Sequence, residues 1–334
     1  MKLVFYSPNF YPLVGGLEGF LMDLADSLTH LNVHVTVVTL TPYNKEDNFA
    51  FTVLRNPSLS VIRKEILSAD YFLQFNVSLK GIPPWLFSRR KLVVVHQNVV
   101  GKGVRENIKQ WVADNFSHLN IGCSEYIAKH YKRSLPIPNA YNAEEFHNDK
   151  PWEMRPNDLL YVGRLVSDKG CDTLLRGLAI LKNTGLIHKL NIIGKGEEEP
   201  KLRALTQELN LENQVTFWGQ LPREQLNDIM NEHKILIVPS RYEEPFGIVA
   251  LEGLAAGCLT IVSEFGGLRE AVGKCGLTFP NGDAVALAAS IKQGLTDKIL
   301  RENCFKNVAS HLAEHTKDAI AKKYFNVLYK IEQA

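Results

Sequence analysis

Two carboxylates flank a short apolar run in the segment Glu244–Glu252, which reads Glu-Pro-Phe-Gly-Ile-Val-Ala-Leu-Glu. Pro245 and Gly247 should end a loop and admit the chain to a helix that begins near Gly247 or Ile248. Glu244 then precedes the first turn, and Glu252 lies about one turn inside the helix. A carboxylate can bind two neighbouring hydroxyl groups through paired hydrogen bonds. Helix capping by Glu244 and a solvent-facing Glu252 explain the same residues equally well.

Two cations follow another predicted strand, in the segment Val162–Gly170. This segment runs from the strand into a helix that begins near Cys171, and it carries Arg164 and Lys169. A guanidinium offers forked hydrogen-bond donors that suit phosphate oxygens, so Arg164 and Lys169 together favour binding of a diphosphate. A solvated pair of surface charges is the alternative interpretation.

Paired glycines, Gly15 and Gly16, lie between the first predicted strand and the first predicted helix. Because they lack Cβ atoms, the backbone there can approach a phosphate or a sugar closely, although a simple turn would use the same residues. The full Gly-x-Gly-x-x-Gly dinucleotide fingerprint is absent. His96 closes the strand that begins at Lys91, a position equally compatible with a functional and a structural histidine.

The elements that must position these residues are short apolar runs alternating with amphipathic helical stretches, a pattern typical of parallel sheets with helices on both faces. Ligands bind at the carboxyl ends of such strands, where the segments above lie. The predicted strands are Lys2–Ser7, His34–Leu40, Tyr71–Phe75, Lys91–Val95, Asn120–Cys123, Leu159–Val162, Leu190–Ile193, Val215–Trp218, Ile235–Val238 and Leu259–Val262.

A chain of 334 residues with 45% hydrophobic content is too long for one ordinary core. We therefore predict an α/β protein with two doubly wound Rossmann-like domains that face a central cleft. A polar, proline-containing segment at 147–158 is interpreted as the linker, which gives domains at 1–150 and 151–316. A last helix at 317–334 is expected to pack across the domain junction.

Composition excludes several other classes of protein. The 38 basic and 36 acidic residues nearly balance, which argues against nucleic-acid binding. The five cysteines include no Cys-x-x-Cys pair, so neither a disulfide framework nor a zinc site is predicted.

The apolar N-terminal stretch is too short for a secretion signal or a membrane span, and we expect a cytoplasmic protein. Basic clusters at 89–91 and 129–133 leave open a peripheral contact with the inner face of a membrane, although such clusters are commonly solvated.

With these segments in order, the chain resembles the retaining glycosyltransferases of family 4, which have the two-domain fold called GT-B. The resemblance covers essentially the whole chain and is strongest over Leu159–Val272. The motifs that carry it are the double glycine, the strand-end histidine, Gly163-Arg-Leu with Lys169-Gly170, Val215–Gly219, Glu244–Glu252, and Gly266-Gly267-Leu-Arg-Glu270.

The resemblance implies a role for each matching residue. Arg164 and Lys169 would neutralise the diphosphate of a nucleotide-sugar donor. Glu252 would bind the ribose hydroxyls and Glu244 the donor sugar. The resemblance also implies contacts with the nucleotide sugar from three other places. These are the backbone around Phe246, Gly247 and Ile248, the first-domain loop at Gly15 and Gly16, and His96, which would lie near the donor sugar.

The implied reaction is the retaining transfer of a hexose from a nucleoside diphosphate sugar, with uridine favoured over guanosine, in glycan, polysaccharide or glycoconjugate biosynthesis. The acceptor is a saccharide, a lipid-linked molecule or a small molecule. No metal and no other cofactor is expected, and the sequence contains no Asp-x-Asp motif for holding a divalent ion.

The sequence departs from the family pattern at three places. Gln97 replaces the aspartate that commonly follows the histidine, the Pro-Asn-Gly turn between the domains reads Pro138–Asn142, and Leu259 replaces a proline. A Rossmann oxidoreductase is disfavoured because its fingerprint is absent. A transferase-like partner without activity, or a protein that only binds nucleotide sugars, remains the alternative.

Overall fold

Buried apolar runs form the strands of two parallel sheets, and the chain divides into two units around them. The computed structural model describes residues 1–13, 15–99 and 101–333. The first unit comprises Met1–Ala140 and His315–Ala334, and the second comprises Tyr141–Glu314.

The first unit is built on a parallel sheet of seven strands in the order β3-β2-β1-β4-β5-β6-β7. The elements of its first segment are β1 Lys2–Ser7, α1 Gly16–His30, β2 His34–Thr39, β3 Thr52–Arg55, α2 Leu59–Ser68, β4 Tyr71–Phe75, α3 Ile82–Trp85, β5 Lys91–His96, α4 Val104–Phe116, β6 Leu119–Gly122, α5 Glu125–Ala128 and β7 Ser134–Pro136.

The second unit has a parallel sheet of six strands in the order β10-β9-β8-β11-β12-β13. Its elements are β8 Asn157–Val162, α6 Cys171–Asn183, β9 Leu190–Ile193, α7 Glu199–Glu208, β10 Val215–Gly219, α8 Leu226–Asn231, β11 His233–Val238, α9 Ile248–Ala255, β12 Leu259–Ser263, α10 Leu268–Val272, β13 Leu277–Phe279, α11 Ala284–Thr296, α12 Lys298–Phe305 and α13 Val308–Ala313. The prediction of two doubly wound parallel sheets is confirmed.

The last helix, α14 (Lys317–Gln333), returns to the first unit. It packs against α1, and its apolar side chains Tyr324 and Leu328 are buried in the same core as Phe20. The hydroxyl of Tyr71 donates a hydrogen bond of 2.8 Å to the carbonyl oxygen of Leu328. The helix is therefore part of the core of the first unit.

Three strands of the structure were not predicted, namely β3, β7 and β13, and all three lie at sheet edges. An edge strand is covered less completely than a central one, so its sequence lacks a continuous apolar run. In β3 every residue is exposed or half-buried. In β7 the sequence includes Pro136, which lacks a donor for a central position in a sheet.

The division between the units lies earlier than the predicted boundary at 150/151. The segment after Tyr141 is attached to the second unit by hydrogen bonds from its backbone. The amide of His147 donates to Asn227 Oδ1 at 3.1 Å, and the amide of Asp149 donates to Asn231 Oδ1 at 2.7 Å. Both acceptors lie on α8, so these residues belong with the second sheet.

A buried arginine fixes the beginning of the second unit. Arg155 is 2% exposed, and its guanidinium donates hydrogen bonds to the carbonyl oxygens of Met230, His233 and Ala256 at 3.1, 2.8 and 2.7 Å. It also donates to the carbonyl oxygen of Lys150 at 3.1 Å. Because buried carbonyl groups need a donor, one side chain satisfies acceptors from several distant segments.

Replacing Arg155 by methionine should remove these donors while keeping part of the side-chain volume. We expect the free energy of unfolding to fall by about 3 kcal/mol or more, since several buried acceptors lose their partner. Urea unfolding of the purified protein measures the change. Arg176→Met, on the exposed face of α6, is the matched control, with an expected change under about 0.5 kcal/mol. Equal effects of the two substitutions would contradict the role of Arg155.

Candidate active site

The carboxyl ends of the two central strands of the second sheet bring two predicted segments together. Strand β8 pairs with β11 in parallel, with Leu160 opposite Leu236. The loop that carries Arg164 and Lys169 follows β8, and the loop that carries Glu244 follows β11. Neighbouring parallel strands end at the same edge of a sheet, so the two loops lie side by side.

Lys169 and Glu244 form an ion pair between these loops. Glu244 is 9% exposed, and its Oε1 atom also accepts a hydrogen bond of 2.8 Å from the hydroxyl of Ser240. A buried carboxylate without partners would be costly, and here a cation and a hydroxyl are its partners. Two residues predicted from separate motifs are therefore in direct contact.

The backbone fixes the distance between the same two loops. The carbonyl oxygen of Asp168 accepts hydrogen bonds from the amides of Arg241 and Tyr242 at 2.8 and 3.1 Å. Gly170 has a φ of +65°, and a Cβ atom there would lie 2.0 Å from the carbonyl oxygen of Pro239. Only glycine permits this approach, which explains the Lys-Gly pair of the motif.

A second glycine pair holds the other side of the Glu244 loop. Gly266 forms an isolated parallel bridge with Glu244, and the amide of Gly267 donates to the carbonyl oxygen of Glu244 at 2.7 Å. Cβ atoms at Gly266 and Gly267 would lie 2.4 Å from the carbonyl oxygen of Glu244 and 2.2 Å from that of Pro245. The Gly-Gly motif therefore supports the loop through backbone contact.

Helix α9 begins at Ile248, directly after Gly247, which has a φ of +104°. Phe246 is buried beneath this turn. The N-terminal end of a helix carries a partial positive charge and presents amide donors, so the predicted backbone segment lies where an anion would be stabilised.

Glu252 lies one turn into α9 and is buried, 5% exposed, rather than solvent-facing. Its Oε1 atom accepts a hydrogen bond of 2.9 Å from Nη2 of Arg223. Burial raises the pKa of Glu252, and the positive charge of Arg223 acts against that rise. Glu252 therefore has its own cation, as Glu244 does.

Arg223 is a residue that the sequence analysis missed. It follows Pro222 after strand β10, at the same edge of the sheet as the other loops. Its position downstream of the Val215–Gly219 motif was the available signal, but one arginine in a polar loop does not indicate a contact with a carboxylate farther along the chain.

The side chain of Arg164 is exposed and forms no hydrogen bond or ion pair within the part of the chain that the structure describes. Its carbonyl oxygen accepts a hydrogen bond of 2.9 Å from the hydroxyl of Tyr161, which fixes the backbone instead. The guanidinium is therefore available to an anionic ligand.

In the first unit, Gly15 immediately precedes α1, and Gly16 is its first residue. A Cβ atom at Gly15 would lie 2.3 Å from Oε2 of Glu18, whereas one at Gly16 would have no atom within 4 Å. The protein's own packing does not require glycine at position 16, because the space beside it is open.

His96, also in the first unit, is 2% exposed. Its ring stacks on Tyr131 with the centroids 3.5 Å apart, and Nε2 is 2.9 Å from Oδ1 of Asn120. Burial lowers the pKa of His96 to about 4, although the contact with Asn120 acts in the opposite direction. The imidazole is therefore neutral near pH 7 and already has a polar partner.

Gln97 stands where the family commonly has an aspartate. Its side-chain amide exchanges two hydrogen bonds with Asn139, each of 2.8 Å. Both side chains are buried. An aspartate could accept from Asn139 but could not donate in return, so the substitution suits this reciprocal amide pair.

Within the described residues, no group of three or more His, Cys, Asp or Glu side chains could hold a metal ion. All five cysteines are buried. None of the helices that the structure describes is long and apolar enough to cross a membrane.

Comparison with known proteins identifies the family of the chain. The family described as glycosyl transferases group 1 matches residues 142–311. An uncharacterized glycosyltransferase of Bacillus subtilis, YqgM, is 33% identical over 271 residues, which cover 75% of each chain. An uncharacterized glycosyltransferase of Methanocaldococcus jannaschii, MJ1607, is 33% identical over 211 residues, which cover 58% of this chain but only 53% of that protein.

Solved structures share the whole fold. The Anabaena protein Alr3699/HepE aligns over 99% of this chain and 100% of its own with a TM-score of 0.82 and 19% identity. Sucrose-phosphate synthase of Thermosynechococcus elongatus aligns over 99% of both chains with a TM-score of 0.78 and 21% identity. Two Rossmann-like domains of the GT-B type, together with the family match over residues 142–311, thus define a glycosyltransferase. The chain belongs to the glycosyl transferases group 1 family.

The buried neutral imidazole of His96 should make the folded protein sensitive to acid. The unfolded state binds a proton near pH 6.5 and the folded state only near pH 4, so stability falls as the pH falls through this window. The maximal contribution is about 3 kcal/mol. Between neutral pH and about pH 4, the free energy of unfolding of the His96→Asn variant should fall less than that of the unmodified protein. Urea unfolding at each pH measures this difference.

His147→Asn, which replaces an exposed histidine of the second unit, controls for the loss of an imidazole. An NMR titration of the histidine ring protons provides a direct measurement. A resonance that is absent from the His96→Asn spectrum but titrates near pH 6.5 in the unmodified protein would contradict the burial argument.

Proposed function

We propose that this chain transfers a hexose from a nucleoside diphosphate sugar, with uridine as the favoured base, to a hydroxyl group of an acceptor. The transfer proceeds with retention of configuration at the anomeric carbon. The observation that carries the proposal is the contact of Lys169 with Glu244, together with the exposed guanidinium of Arg164 on the same loop as Lys169. One small region thus offers cations for a diphosphate and a carboxylate for sugar hydroxyls.

The leaving diphosphate gains negative charge as the bond to the anomeric carbon breaks. Arg164 and Lys169 would stabilise that charge, assisted by the N-terminus of α9 around Phe246, Gly247 and Ile248. Donors already held in place need little rearrangement during the reaction. Because these groups supply the positive charge, a divalent ion is unnecessary, and we propose a metal-independent enzyme.

Glu244 would bind the donor sugar. Its Oε1 atom accepts hydrogen bonds from Lys169 and from the hydroxyl of Ser240. When the donor binds, Lys169 would turn to the diphosphate and Glu244 would accept hydrogen bonds from sugar hydroxyls. The ion pair thus holds both side chains in position until the substrate replaces it.

Glu252 would bind the ribose. Its buried carboxylate can accept from a vicinal diol, and its position one turn inside α9 separates it from the residues assigned to the diphosphate. Structures of Alr3699/HepE contain UDP or UDP-glucose, which supports a uridine nucleotide here. In the first unit, Gly15 and Gly16 are assigned to close backbone approach to the donor and His96 to its sugar.

The acceptor is assigned to the first unit and is a saccharide, a lipid-linked molecule or a small molecule. A surface of this unit favours the lipid-linked class. On α4, Val104, Ile108 and Trp111 recur at helical spacing and are 78%, 45% and 57% exposed. Such a row would normally be buried, so it marks a contact surface.

Basic residues accompany this apolar row. Residues 86–116 contain six Lys and Arg residues but only two acidic ones, and Lys102 and Arg105 are exposed beside the start of α4. Phe87 is exposed in the same stretch of chain. Apolar side chains together with cations suit the interface of an anionic bilayer. We therefore propose that this cytoplasmic enzyme binds peripherally to the inner face of a membrane.

Uridine diphosphate should raise the melting temperature of the protein, because it binds only the folded state. Lys169→Ala should weaken UDP binding at least about tenfold, as expected for losing a charged hydrogen bond. Isothermal titration measures the affinity. Lys292→Ala, an exposed lysine on α11, is the matched control and should bind UDP normally. If neither UDP nor GDP binds, the proposed nucleotide-sugar site is contradicted.

The same purified proteins test the reaction itself. A panel of nucleotide sugars scored for donor hydrolysis identifies the base and the sugar without requiring an acceptor. Hydrolysis should persist in EDTA; its loss and its recovery with magnesium or manganese would contradict metal independence. Tight binding without turnover, with or without candidate acceptors, would instead indicate a catalytically silent nucleotide-sugar-binding protein.

Binding to membranes should depend on α4. The protein should cosediment with vesicles that contain phosphatidylglycerol, less so at high salt, and Ile108→Ser with Trp111→Ser should weaken binding at least roughly tenfold. Ile187→Ser is the control, because Ile187 is equally apolar and 71% exposed but lies in the second unit. Equal sedimentation with neutral and anionic vesicles would contradict the proposed surface.

A further inference from the structure

Arg223 connects the predicted ribose carboxylate to the start of the second unit. It lies in a short 3₁₀ turn, Arg223–Gln225, between β10 and α8. Its guanidinium contacts two carboxylates, Glu252 and Glu145, and an aromatic ring, Phe146.

The contact with Arg223 involves only one of the two oxygens of the Glu252 carboxylate. Nη2 of Arg223 donates to Oε1 at 2.9 Å. Oε2 forms no hydrogen bond with any residue that the structure describes. A carboxylate can accept hydrogen bonds at both of its oxygens, and the two neighbouring hydroxyls of a ribose would supply one to each oxygen.

The other contacts hold the guanidinium in place. Nε of Arg223 donates to Oε2 of Glu145 at 2.6 Å, and its central carbon lies 5.1 Å from the centroid of the Phe146 ring. Phe146 is buried. A planar guanidinium fixed by a carboxylate and a ring has little freedom to turn away from Glu252.

We propose that Arg223 is a positioning residue for nucleotide recognition, which holds Glu252 as a carboxylate and turns its free oxygen toward the ribose hydroxyls. The inference rests on the proposed function, in which Glu252 binds the ribose. It adds that recognition depends on a residue outside the Glu244–Glu252 motif, held in turn by Glu145 and Phe146.

The role of Arg223 predicts a particular pH dependence. Among the described residues, the charges that act on Glu252 are Arg223, which favours the carboxylate, and Glu145, which opposes it. Burial already raises the pKa of Glu252, so loss of the cation would raise it further. Because the protonated form accepts fewer hydrogen bonds, nucleotide binding should then be lost at a higher pH as the solution is acidified.

Isothermal titration with UDP, from about pH 5 to about pH 8, tests this inference. Arg223→Met should bind UDP roughly tenfold more weakly near neutral pH, and its loss of affinity in acid should begin at a higher pH than in the unmodified protein. Arg223→Lys, which restores a cation, should return the pH profile toward that of the unmodified protein. Glu252→Gln should bind weakly with little dependence on pH.

Arg176→Met, on the exposed face of α6, is the matched control and should bind normally. Circular dichroism verifies that each variant is folded, and Arg223→Gln provides a second neutral variant should methionine disturb the fold. Unchanged affinity and pH profile in the folded neutral variants would overturn this inference alone. Failure of the unmodified protein to bind any nucleoside diphosphate would overturn the proposed function and, with it, this inference.

Discussion

The close approach of two loops at the end of the second sheet is the constraint on which the candidate site depends. Gly170 lies against the carbonyl group of Pro239, and the carbonyl of Asp168 receives amides from the neighbouring loop. Without that approach Lys169 could not reach Glu244. The positions of Lys169 and Glu244 therefore depend on backbone contact as well as on attraction between their charges.

Each of the two motif carboxylates is buried beside a cation, Glu244 beside Lys169 and Glu252 beside Arg223. Burying a carboxylate costs free energy, and a nearby cation can offset that cost. Arg164 differs because it is exposed and unpaired among the described residues. The site thus combines two carboxylates that are paired with cations of the protein and one exposed guanidinium, that of Arg164, which can bind a ligand.

Several features could be predicted because they depend on local sequence. Central strands such as β11 contain a continuous apolar run, Ile235–Val238, and the loop after β11 contains Glu244 of the motif. The pairing of Arg223 with Glu252, by contrast, depends on how β10 and α9 are placed in the fold. Periodicity gives no information on such a contact. His96 illustrates a similar limit, because its strand-end position was predictable but the direction of its ring toward Tyr131 was not.

The path of the chain has a consequence for synthesis of the protein. Because α14 completes the core that α1 began, the first unit contains both ends of the chain, and the second unit is an insertion within it. All residues of the second unit leave the ribosome before α14 does, so that unit can fold during translation. The first unit must wait until α14 has also been synthesised, because α14 covers one face of α1 in the folded protein.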